Sequence, residues 1–148
     1  MTTTDEYAPS RSEWVRKQVE EIESSGGERG TTLRGVPVVV LTMRGARTGK
    51  LRKVPLMRVE HEGSYLAVAS QGGAPTHPHW YHNLVADPRV RVQDGPTVVE
   101  TRARLLSGGE REQWWQRALQ VWPDYADYQA RTQRQIPLFL LEPTPATP

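Results

Sequence analysis

The feature that most limits the fold of this chain is a series of short strand-like segments bounded by glycine or proline turns. These segments are rich in β-branched residues or alternate apolar with polar residues, which is typical of strands. An Asp94-Gly95 pair between two of them predicts a hairpin turn. The segments predicted as strands are residues 36–43, 53–60, 64–70, 89–93, 97–106 and 137–141.

Helical segments surround these strands. One helix is predicted from Ser10 or Ser12 to about residue 24, and a short one over residues 79–86. Ser107 and Pro123 begin two more, which end near residues 121 and 135. The order predicts an α+β fold with about six mainly antiparallel strands. We expect these strands to close into a small barrel, because closure removes exposed strand edges.

The length of 148 residues indicates a single domain. Residues 1–30 are predicted to form a mobile terminus and an amphipathic helix, residues 31–142 the barrel, and residues 143–148 a loose tail. The apolar stripe of the helix includes Trp14 and Ile22. This stripe either packs on the domain or contacts a membrane surface.

Composition excludes several classes of protein. The absence of cysteine excludes disulfides, thiolate metal sites and cysteine nucleophiles. A net charge of +2 is too small for a general nucleic-acid binder. The N-terminus lacks the apolar core of a signal peptide, and the longest apolar run, 36–43, is too short to span a bilayer. We expect a cytoplasmic protein, with peripheral contact with the inner face of the cell membrane as an open alternative.

A loop over residues 45–52 lies in the densest positive charge of the chain. Gly45 and Gly49 allow a tight turn with exposed N–H groups, and Thr48 adds a hydroxyl. This chemistry suits phosphate or carboxylate groups, although a solvated basic hairpin would have the same composition. The glycine spacing and the strand that follows exclude a P-loop. The cations are Arg44, Arg47, Lys50, Arg52 and Lys53, with no acid among them.

Two further segments could contact a flat ring. Residues 69–73 read Ala-Ser-Gln-Gly-Gly, which permits close approach of a ligand to the backbone. Residues 78–84 read Pro-His-Trp-Tyr-His-Asn-Leu. Trp80 and Tyr81 are adjacent in a short helix, so one can face the core while the other lines a cleft. Asn83 can tie this helix to a neighbouring loop.

The C-terminal part of the chain is rich in aromatic residues: Trp114, Trp115, Trp122, Tyr125 and Tyr128. Tyr125 and Tyr128 share a face of a predicted helix. They either pack in the core or form a wall for a planar substrate, with their phenols as donors. No serine or threonine has an assignable base, which argues against hydrolysis. The histidines lack an obvious third ligand, so no metal site is expected.

In order and spacing these segments resemble one family, the deazaflavin-dependent nitroreductases, which use reduced coenzyme F-420. The resemblance covers about residues 30–142. It implies a split β-barrel related to the flavin-binding pyridoxamine-phosphate oxidases. The matching positions are Gly45, Thr48, Gly49, Arg52, Pro55 and Leu56; Ala69, Ser70, Gly72 and Gly73; Pro78, Trp80, Tyr81, Asn83, Leu84, Ala86 and Pro88; and Trp122, Pro123, Tyr125, Tyr128, Ile136 and Pro137.

The resemblance also implies a role for each position. Cations hold the phosphate and glutamate tail of the coenzyme, and Ser70 donates a hydrogen bond near the reacting carbon. The implied catalytic residues are Ser70, Tyr125 and Tyr128. The implied cofactor-binding residues are Arg47, Thr48, Gly49, Lys50, Arg52, Lys53, Pro55, Val68, Ser70, Gln71, Gly72, Gly73 and Trp80. The implied substrate pocket consists of Met57, Trp80, Trp122, Tyr125 and Tyr128.

Three positions depart from the family pattern. Ala46 replaces the first basic residue, which weakens or shifts tail binding. Gln71 stands where some members carry lysine, and Trp122 where some carry tyrosine. The last two departures put nitroimidazole reduction in doubt more than they do coenzyme binding.

The implied reaction is hydride transfer from reduced coenzyme F-420 to an electron-poor planar acceptor. Quinone is our first choice of acceptor, ahead of a nitro-aromatic or an enone. Two alternatives stay open: an FMN-dependent enzyme of the same barrel, and a non-catalytic protein that binds or stores the deazaflavin. We expect no nucleic-acid partner, and either a monomer or a homodimer. Contact between the N-terminal helix and a membrane also stays open.

Overall fold

The computed structural model describes residues 6–145 as eight strands and four α-helices. The strands are β1 Thr32–Leu33, β2 Val36–Arg44, β3 Leu51–Met57, β4 Glu60–His61, β5 Ser64–Val68, β6 Arg89–Asp94, β7 Thr97–Leu105 and β8 Leu138–Pro143. The helices are α1 Glu13–Ser24, α2 His79–Ala86, α3 Gly108–Val121 and α4 Tyr125–Arg131. One turn of 3₁₀ helix, Gln71–Gly73, precedes α2.

The strands form one antiparallel sheet in the order β1-β2-β6-β7-β8-β5-β4, and β3 pairs with β2. The β2–β3 register runs from Val38 opposite Met57 to Arg44 opposite Leu51. The β6–β7 pairing ends with Asp94 opposite Thr97, which confirms the predicted hairpin.

The chain itself joins the two ends of this strand order. Only Arg58 and Val59 separate β3 from β4, so one nearly continuous segment pairs with β2 at its start and with β5 at its end. Arg58 N donates to Pro37 O at 2.9 Å, and Leu66 N donates to Val59 O at 2.9 Å. The sheet therefore curls into a half-barrel, which confirms the predicted α+β split barrel.

Three polar side chains stabilise this closure. Arg58 Nε donates to both carboxylate oxygens of Asp94 at 2.9 Å, and the Tyr65 hydroxyl donates to Asp94 Oδ2 at 2.7 Å. Burial, with the hydrogen bond to Asp94 adding to it, raises the pKa of Tyr65 to about 12. The network ties the β3–β4 junction to β5 and β6.

Apolar clusters lie on both faces of the curled sheet. On the inner face, alternating residues of β2, β5 and β8 pack with Trp80 and Leu84 of α2. On the outer face, the intervening residues of β5 and β8 pack with Trp114 of α3 and Tyr125 of α4. The side chains of one strand therefore divide between two clusters, as expected from strand geometry.

Helix α1 packs on the outer face at a third cluster. Its Val19 and Ile22 contact Val40 of β2. The loop after α1 reaches the β6–β7 turn, where a Cβ on Gly27 would lie 1.9 Å from the carbonyl oxygen of Gly95. Val19 and Ile22 of the apolar stripe are therefore used within the domain, whereas Trp14 is exposed.

Several predicted boundaries move. The predicted strand over 53–60 is divided into β3 and β4, and the two-residue β1 was not predicted. The predicted helix over 123–135 is the shorter α4, because the chain must extend toward Pro137 and β8. Ser12 and Ser107 occupy N-cap positions, but neither side chain makes a capping hydrogen bond.

Both ends of the described chain make hydrogen bonds to strands. Ala8 N donates to Leu51 O at 2.8 Å, and Thr144 N donates to Glu100 O at 3.0 Å. The mobile terminus and the loose tail stay predictions, and their residues 1–5 and 146–148 lie outside the described residues.

Candidate functional site

The cationic loop, which we define as residues 45–53, joins β2 to β3 and is fixed at two points. Gly49 N donates to Gly45 O at 2.9 Å, and Gly49 has a φ of 72°, in the left-handed region that favours glycine. Asn83 Oδ1 of α2 accepts a hydrogen bond from Ala46 N at 2.9 Å. The expected tie between this helix and a neighbouring loop is therefore present.

The N-terminal segment lies along the cationic loop and engages two of its cations. Lys50 Nζ lies 3.1 Å from a carboxylate oxygen of Glu6. Arg52 Nη1 donates to Ala8 O at 3.1 Å. These contacts were missed at the sequence level, because nothing local relates residues 6–9 to a loop more than thirty residues later.

The remaining two cations of the loop differ from each other. Lys53 pairs with Glu23 of α1 and lies 4.7 Å above the ring of Tyr7. Burial and the charge of Glu23 raise the pKa of that phenol. Arg47 is exposed and has no partner among residues 6–145.

Strand β3 distributes three predicted cofactor residues and Met57, predicted for the substrate pocket, over two faces of the sheet. Lys53, Pro55 and Met57 lie opposite β2 residues that face α1. Arg52 lies opposite Met43, which belongs to the inner cluster. Because side chains alternate along a strand, Arg52 is on the inner face and the other three are on the outer face.

The tight turn, residues 70–74, follows β5 and packs directly on α4. Its φ angles are 45° at Gln71, 63° at Gly72 and 84° at Gly73. A Cβ on Gly73 would lie 2.7 Å from the carbonyl oxygen of Tyr128, whereas a Cβ on Gly72 would meet nothing within 4 Å. Gly73 therefore permits close approach of α4, and Gly72 leaves open space beside the backbone.

Ser70 is held through its backbone. Its carbonyl accepts hydrogen bonds from Gly73 N at 2.9 Å and from Arg134 Nη2 at 2.8 Å. Its side chain is 8% exposed, and its hydroxyl has no partner among residues 6–145. The hydroxyl is thus available to a ligand. Arg134 was missed because it belongs to no recognised motif.

Tyr125 and Tyr128 lie beside the tight turn, but they differ in accessibility. Tyr125 is 6% exposed, and burial raises its pKa above the ordinary value of a phenol. Tyr128 is half-buried, and its hydroxyl accepts a hydrogen bond from Trp122 Nε1 at 3.3 Å. Both rings belong to the outer cluster, as do Met57 and Val68. The structure thus brings together four of the five residues predicted to line the substrate pocket.

Trp80, the fifth of these residues, lies on the inner face. It is 9% exposed, and its ring centroid is 6.1 Å from that of Phe139. Tyr81 also contacts Phe139, at 5.6 Å, and its ring centroid lies 4.2 Å from that of His77. Trp80 is thus the ring of this pair that faces the core, and Tyr81 is half-buried beside it.

Two surface grooves lie near the predicted residues. One, of about 580 Å³, runs between α1 and the N-terminal segment and is lined in part by Tyr7 and Glu23, the two residues that contact Lys53. The other, of about 380 Å³, lies over β2 and β6, with Arg89 and Arg91 in its wall. The tight turn and α4 line neither groove, so the predicted ring site lies outside both.

Between residues 6 and 145, no helix combines the length and apolar character that crossing a membrane requires. In the same range, no three histidine or acidic side chains are grouped so that they could hold a metal ion. The histidine His77 instead contacts Tyr81 and Arg134.

Comparison with known proteins relates these elements to one family. Residues 14–143 match the family model described as F420H(2)-dependent quinone reductase. The chain belongs to this family. An F420H(2)-dependent quinone reductase of Mycobacterium tuberculosis (strain ATCC 25618 / H37Rv) is 34% identical over 123 residues, which cover 79% of this chain and 81% of the relative. The resemblance inferred from the motifs is thereby confirmed.

Solved structures are similar to this quinone reductase family member as well. An F420-H2 dependent reductase (FDR-A) is 53% identical with a TM-score of 0.69, covering 72% of this chain and 94% of that one. A structure described as a domain-swapped dimer is 49% identical with a TM-score of 0.72, covering 90% and 100%.

More distant structures support the fold alone. Two pyridoxamine-phosphate-oxidase-type proteins, from Listeria innocua and Clostridium acetobutylicum, are each 12% identical, with TM-scores of 0.51 and 0.50. The first alignment covers 86% of this chain and 94% of the other, and the second covers 85% and 84%. This likeness agrees with the split barrel of the family member.

Proposed function

We propose that this chain is an oxidoreductase that transfers a hydride from reduced coenzyme F-420 to a quinone. The observation that carries the proposal is family membership over residues 14–143, a range that contains both the cationic loop and the tight turn. The chain is thus an enzyme rather than a storage protein.

The chemistry of these two segments fits an anionic, flat coenzyme. The exposed Arg47 and Thr48 supply a cation and a hydroxyl for phosphate or carboxylate groups. The open space beside Gly72 can receive a planar ring against the backbone. Charge and shape therefore match a coenzyme with an anionic tail and a ring system.

We assign the two segments to the two ends of the coenzyme. The cationic loop would hold the tail, and Lys50 and Lys53 would exchange the carboxylates of Glu6 and Glu23 for those of the ligand. The tail is held by Arg47, Thr48, Gly49, Lys50, Arg52 and Lys53. The ring would be held by Pro55, Val68, Ser70, Gln71, Gly72 and Gly73, and we assign the buried Trp80 to the support of this site.

When bound, the reduced coenzyme supplies a hydride from a ring carbon, and a quinone takes up this hydride and a solvent proton to become a hydroquinone. Met57, Trp122 and Tyr128 hold the acceptor on the outer face. The free hydroxyl of Ser70 donates a hydrogen bond to the oxygen on which negative charge develops. Burial raises the pKa of Tyr125 above the ordinary value of a phenol, so its hydroxyl is a donor.

Binding and turnover are tested separately. A fluorescence titration with oxidised coenzyme F-420 should saturate, and menadione should oxidise the reduced coenzyme. Tight binding without turnover across quinones, nitro-aromatics and enones would identify a storage protein. A yellow preparation with an FMN spectrum would identify a flavin enzyme.

A matched pair of serine variants tests the site. Ser70→Ala should lower the rate of menadione reduction by roughly tenfold and leave coenzyme affinity nearly unchanged. The control is Ser107→Ala, since Ser107 lies at the start of α3 and makes no capping hydrogen bond. Equal rates for the two variants would remove Ser70 from the reaction.

We also propose that the chain forms a homodimer, as does the relative described as a domain-swapped dimer. Helix α1 is suited to exchange, because Gly26, Gly27 and Gly30 follow it, all with left-handed φ. Light scattering should give twice the chain mass. A monomer across micromolar concentrations would contradict the proposal.

For location, we propose that the chain works in the cytoplasm and meets membrane-dissolved quinones through α1. Trp14 is the side chain that carries this proposal, because it is 55% exposed whereas Val19 and Ile22 pack on the sheet. Flotation with anionic vesicles should recover the wild-type chain, and Trp14→Ser should reduce recovery. Equal recovery of the wild type and Trp14→Ser would contradict a membrane contact through Trp14.

A further inference from the structure

The tight turn adopts a conformation that its own sequence does not favour. Gln71 is not glycine, yet it takes a φ of 45°, and Gly72 and Gly73 continue the left-handed run. A non-glycine residue in this region is strained, and such conformations persist where the surrounding structure holds them. The residues that hold the turn therefore matter for the position of Ser70.

One side chain binds the turn on both sides of the strained run. Arg134 Nη1 donates to Ala69 O at 3.1 Å, and Nη2 donates to Ser70 O at 2.8 Å. Its Nε donates to Ala74 O at 2.9 Å. All three guanidinium nitrogens thus bind backbone carbonyls, and the carbonyls flank residues 71–73. The planar fork of arginine is suited to such a clamp, and lysine cannot reproduce it.

Arg134 is itself held by α4. Gln129 of α4 donates from Nε2 to Arg134 O at 2.8 Å, and its Oε1 accepts from Ile136 N at 2.9 Å. The close contact between Gly73 and Tyr128 joins the turn to the same helix. Arg134 therefore connects the turn that carries Ser70 with the helix that carries the two tyrosines.

The charge of Arg134 is not neutralised by an acid. Among residues 6–145, the partners of its guanidinium are backbone carbonyls and His77, and burial lowers its pKa. A guanidinium without a carboxylate partner is free to bind neutral carbonyl groups with its full donor set. This supports a role in holding backbone rather than in a surface ion pair.

His77 completes the arrangement. Its Nδ1 lies 3.0 Å from Arg134 Nη1, and because arginine only donates, Nδ1 must accept and the ring must be neutral. The ring also lies against Tyr81 at 4.2 Å and faces His82 at 6.4 Å. Burial, with the nearby Arg134 and His82, lowers the pKa of His77. Protonation of His77 would place an imidazolium beside the guanidinium of Arg134. It would also turn Nδ1 into a donor that faces the donor Nη1.

We propose that Arg134 is a positioning residue that fixes the tight turn against α4, and that neutral His77 supports this clamp. Arg134 acts through the backbone of Ser70 and does not itself touch the substrate. The inference rests on the proposed function where it concerns catalysis, but the clamp itself can be tested without the coenzyme.

The first test compares Arg134→Lys and Arg134→Gln with the control Arg111→Lys. Arg111 also binds a carbonyl of the segment before β8, Ile136 O at 2.6 Å, but it does not contact the tight turn. We expect kcat for menadione reduction to fall about tenfold or more in both Arg134 variants, because the reacting groups lose alignment. The Kd for coenzyme F-420 should change less than about threefold, because the tail cations remain in place.

The second readout is amide hydrogen exchange without coenzyme. The N–H groups of Gly73 and Ala74 donate within the turn, to Ser70 O and Gln71 O. They should exchange faster in both Arg134 variants and at the wild-type rate in Arg111→Lys. Unchanged exchange at these two amides would overturn the clamp. Faster exchange with wild-type kcat would overturn its role in the reaction.

The third readout is the pH dependence of kcat. In the wild type, kcat should fall as the pH drops through the pKa of His77, because the imidazolium opposes Arg134. His77→Gln keeps an acceptor oxygen that does not titrate in this range. The kcat of this variant should therefore not fall as the pH drops through the pKa of His77. The control is His79→Gln, at an exposed neighbour in α2. The same fall of kcat at low pH in His77→Gln would overturn the part assigned to His77.

The failure of the proposed function is a separate result. If the wild type neither binds coenzyme F-420 nor oxidises its reduced form, the function is wrong. The exchange measurement would still decide whether Arg134 clamps the turn.

Discussion

The cationic loop and the tight turn are both glycine-containing segments at the predicted coenzyme site, but they are held in different ways. Three of the four cations of the loop are engaged by contacts of their side chains: Lys50 with Glu6, Arg52 with the carbonyl of Ala8, and Lys53 with Glu23 of α1. The tight turn is held by backbone contact with α4 and by the guanidinium of Arg134. The ion pairs of the loop can therefore change partners at little cost, whereas the turn cannot move without breaking several part-buried hydrogen bonds and its packing on α4.

This difference matches what the two ends of the coenzyme require. An anionic tail is bound by charge, and charged side chains can adjust to it. The ring must be held with its reacting carbon aligned to the acceptor, which requires a fixed frame. We therefore expect changes in the loop to alter affinity and changes in the turn to alter stability and rate.

The largest effect should follow from Gly73→Ala. Its Cβ would lie 2.7 Å from the Tyr128 carbonyl oxygen at a φ of 84°, so α4 must separate from the turn. We expect a loss of about 2–3 kcal/mol in the free energy of unfolding. The measurement is urea denaturation.

Gly72→Ala is the matched control for this substitution. It has the same left-handed backbone but open space around its Cβ, so it should cost only about 1 kcal/mol. Equal losses for the two variants would mean that the packing against α4 is not what holds the turn.

The next effect should follow from Arg47→Gln in the cationic loop. This exposed guanidinium lacks a partner among residues 6–145, so its removal breaks no hydrogen bond or ion pair within the described chain. Coenzyme binding should weaken by about 1–3 kcal/mol, the usual range for a charge-assisted contact, with the free energy of unfolding unchanged. Fluorescence titration with the coenzyme measures the change in affinity. Arg29→Gln, at another exposed position, serves as the control. Unaltered affinity would exclude Arg47 from the tail site.

A smaller effect tests the hydrogen bonds of Arg58, Tyr65 and Asp94, which tie the β3–β4 junction to β5 and β6. Tyr65→Phe removes the hydroxyl that donates to Asp94, which should cost about 1 kcal/mol near neutral pH. Burial and Asp94 raise the pKa of Tyr65 to about 12 in the folded state, above about 10 in the unfolded chain. The stabilisation is therefore fully present below pH ~10 and is lost as the pH rises toward 12.

The measurement for this prediction is the difference in unfolding free energy between wild type and Tyr65→Phe from pH 8 to 12. The difference should shrink in the upper part of this range. A constant difference would show that the phenol ionises alike in both states.

The smallest effect should follow from Glu23→Gln. Removing this carboxylate frees Lys53 for the coenzyme tail, so affinity should rise by up to about 1 kcal/mol. Glu20→Gln, on the same helix but outside this ion pair, is the control. Added salt should reduce the gain, because exposed charges are screened. A fall in affinity would show that Glu23 supports the site instead of competing for it.

Much of the fold follows from local pattern. The strands β2, β6 and β7, the hairpin at Gly95 and the helix that begins at His79 were each predicted close to their observed bounds. Hydrophobic periodicity and the conformational preferences of glycine and proline act within a few residues, so they can be read without the tertiary structure. The predicted bounds were less accurate after α4, where the chain extends toward β8, and the contact of residues 6–8 with the cationic loop was not predicted.

The sequence by itself determined the split barrel, the cationic loop, the tight turn and the family that combines them. Only the tertiary structure decided which cations are already paired, that Lys53 and Arg52 face opposite sides of the sheet, and that Arg134 binds the turn. The physical reason is the distance along the chain between partners. Glu6 meets Lys50 and Arg134 meets Ser70 only because the sheet curls and α4 folds back. Strand register, which no single residue specifies, then decides which face each side chain occupies.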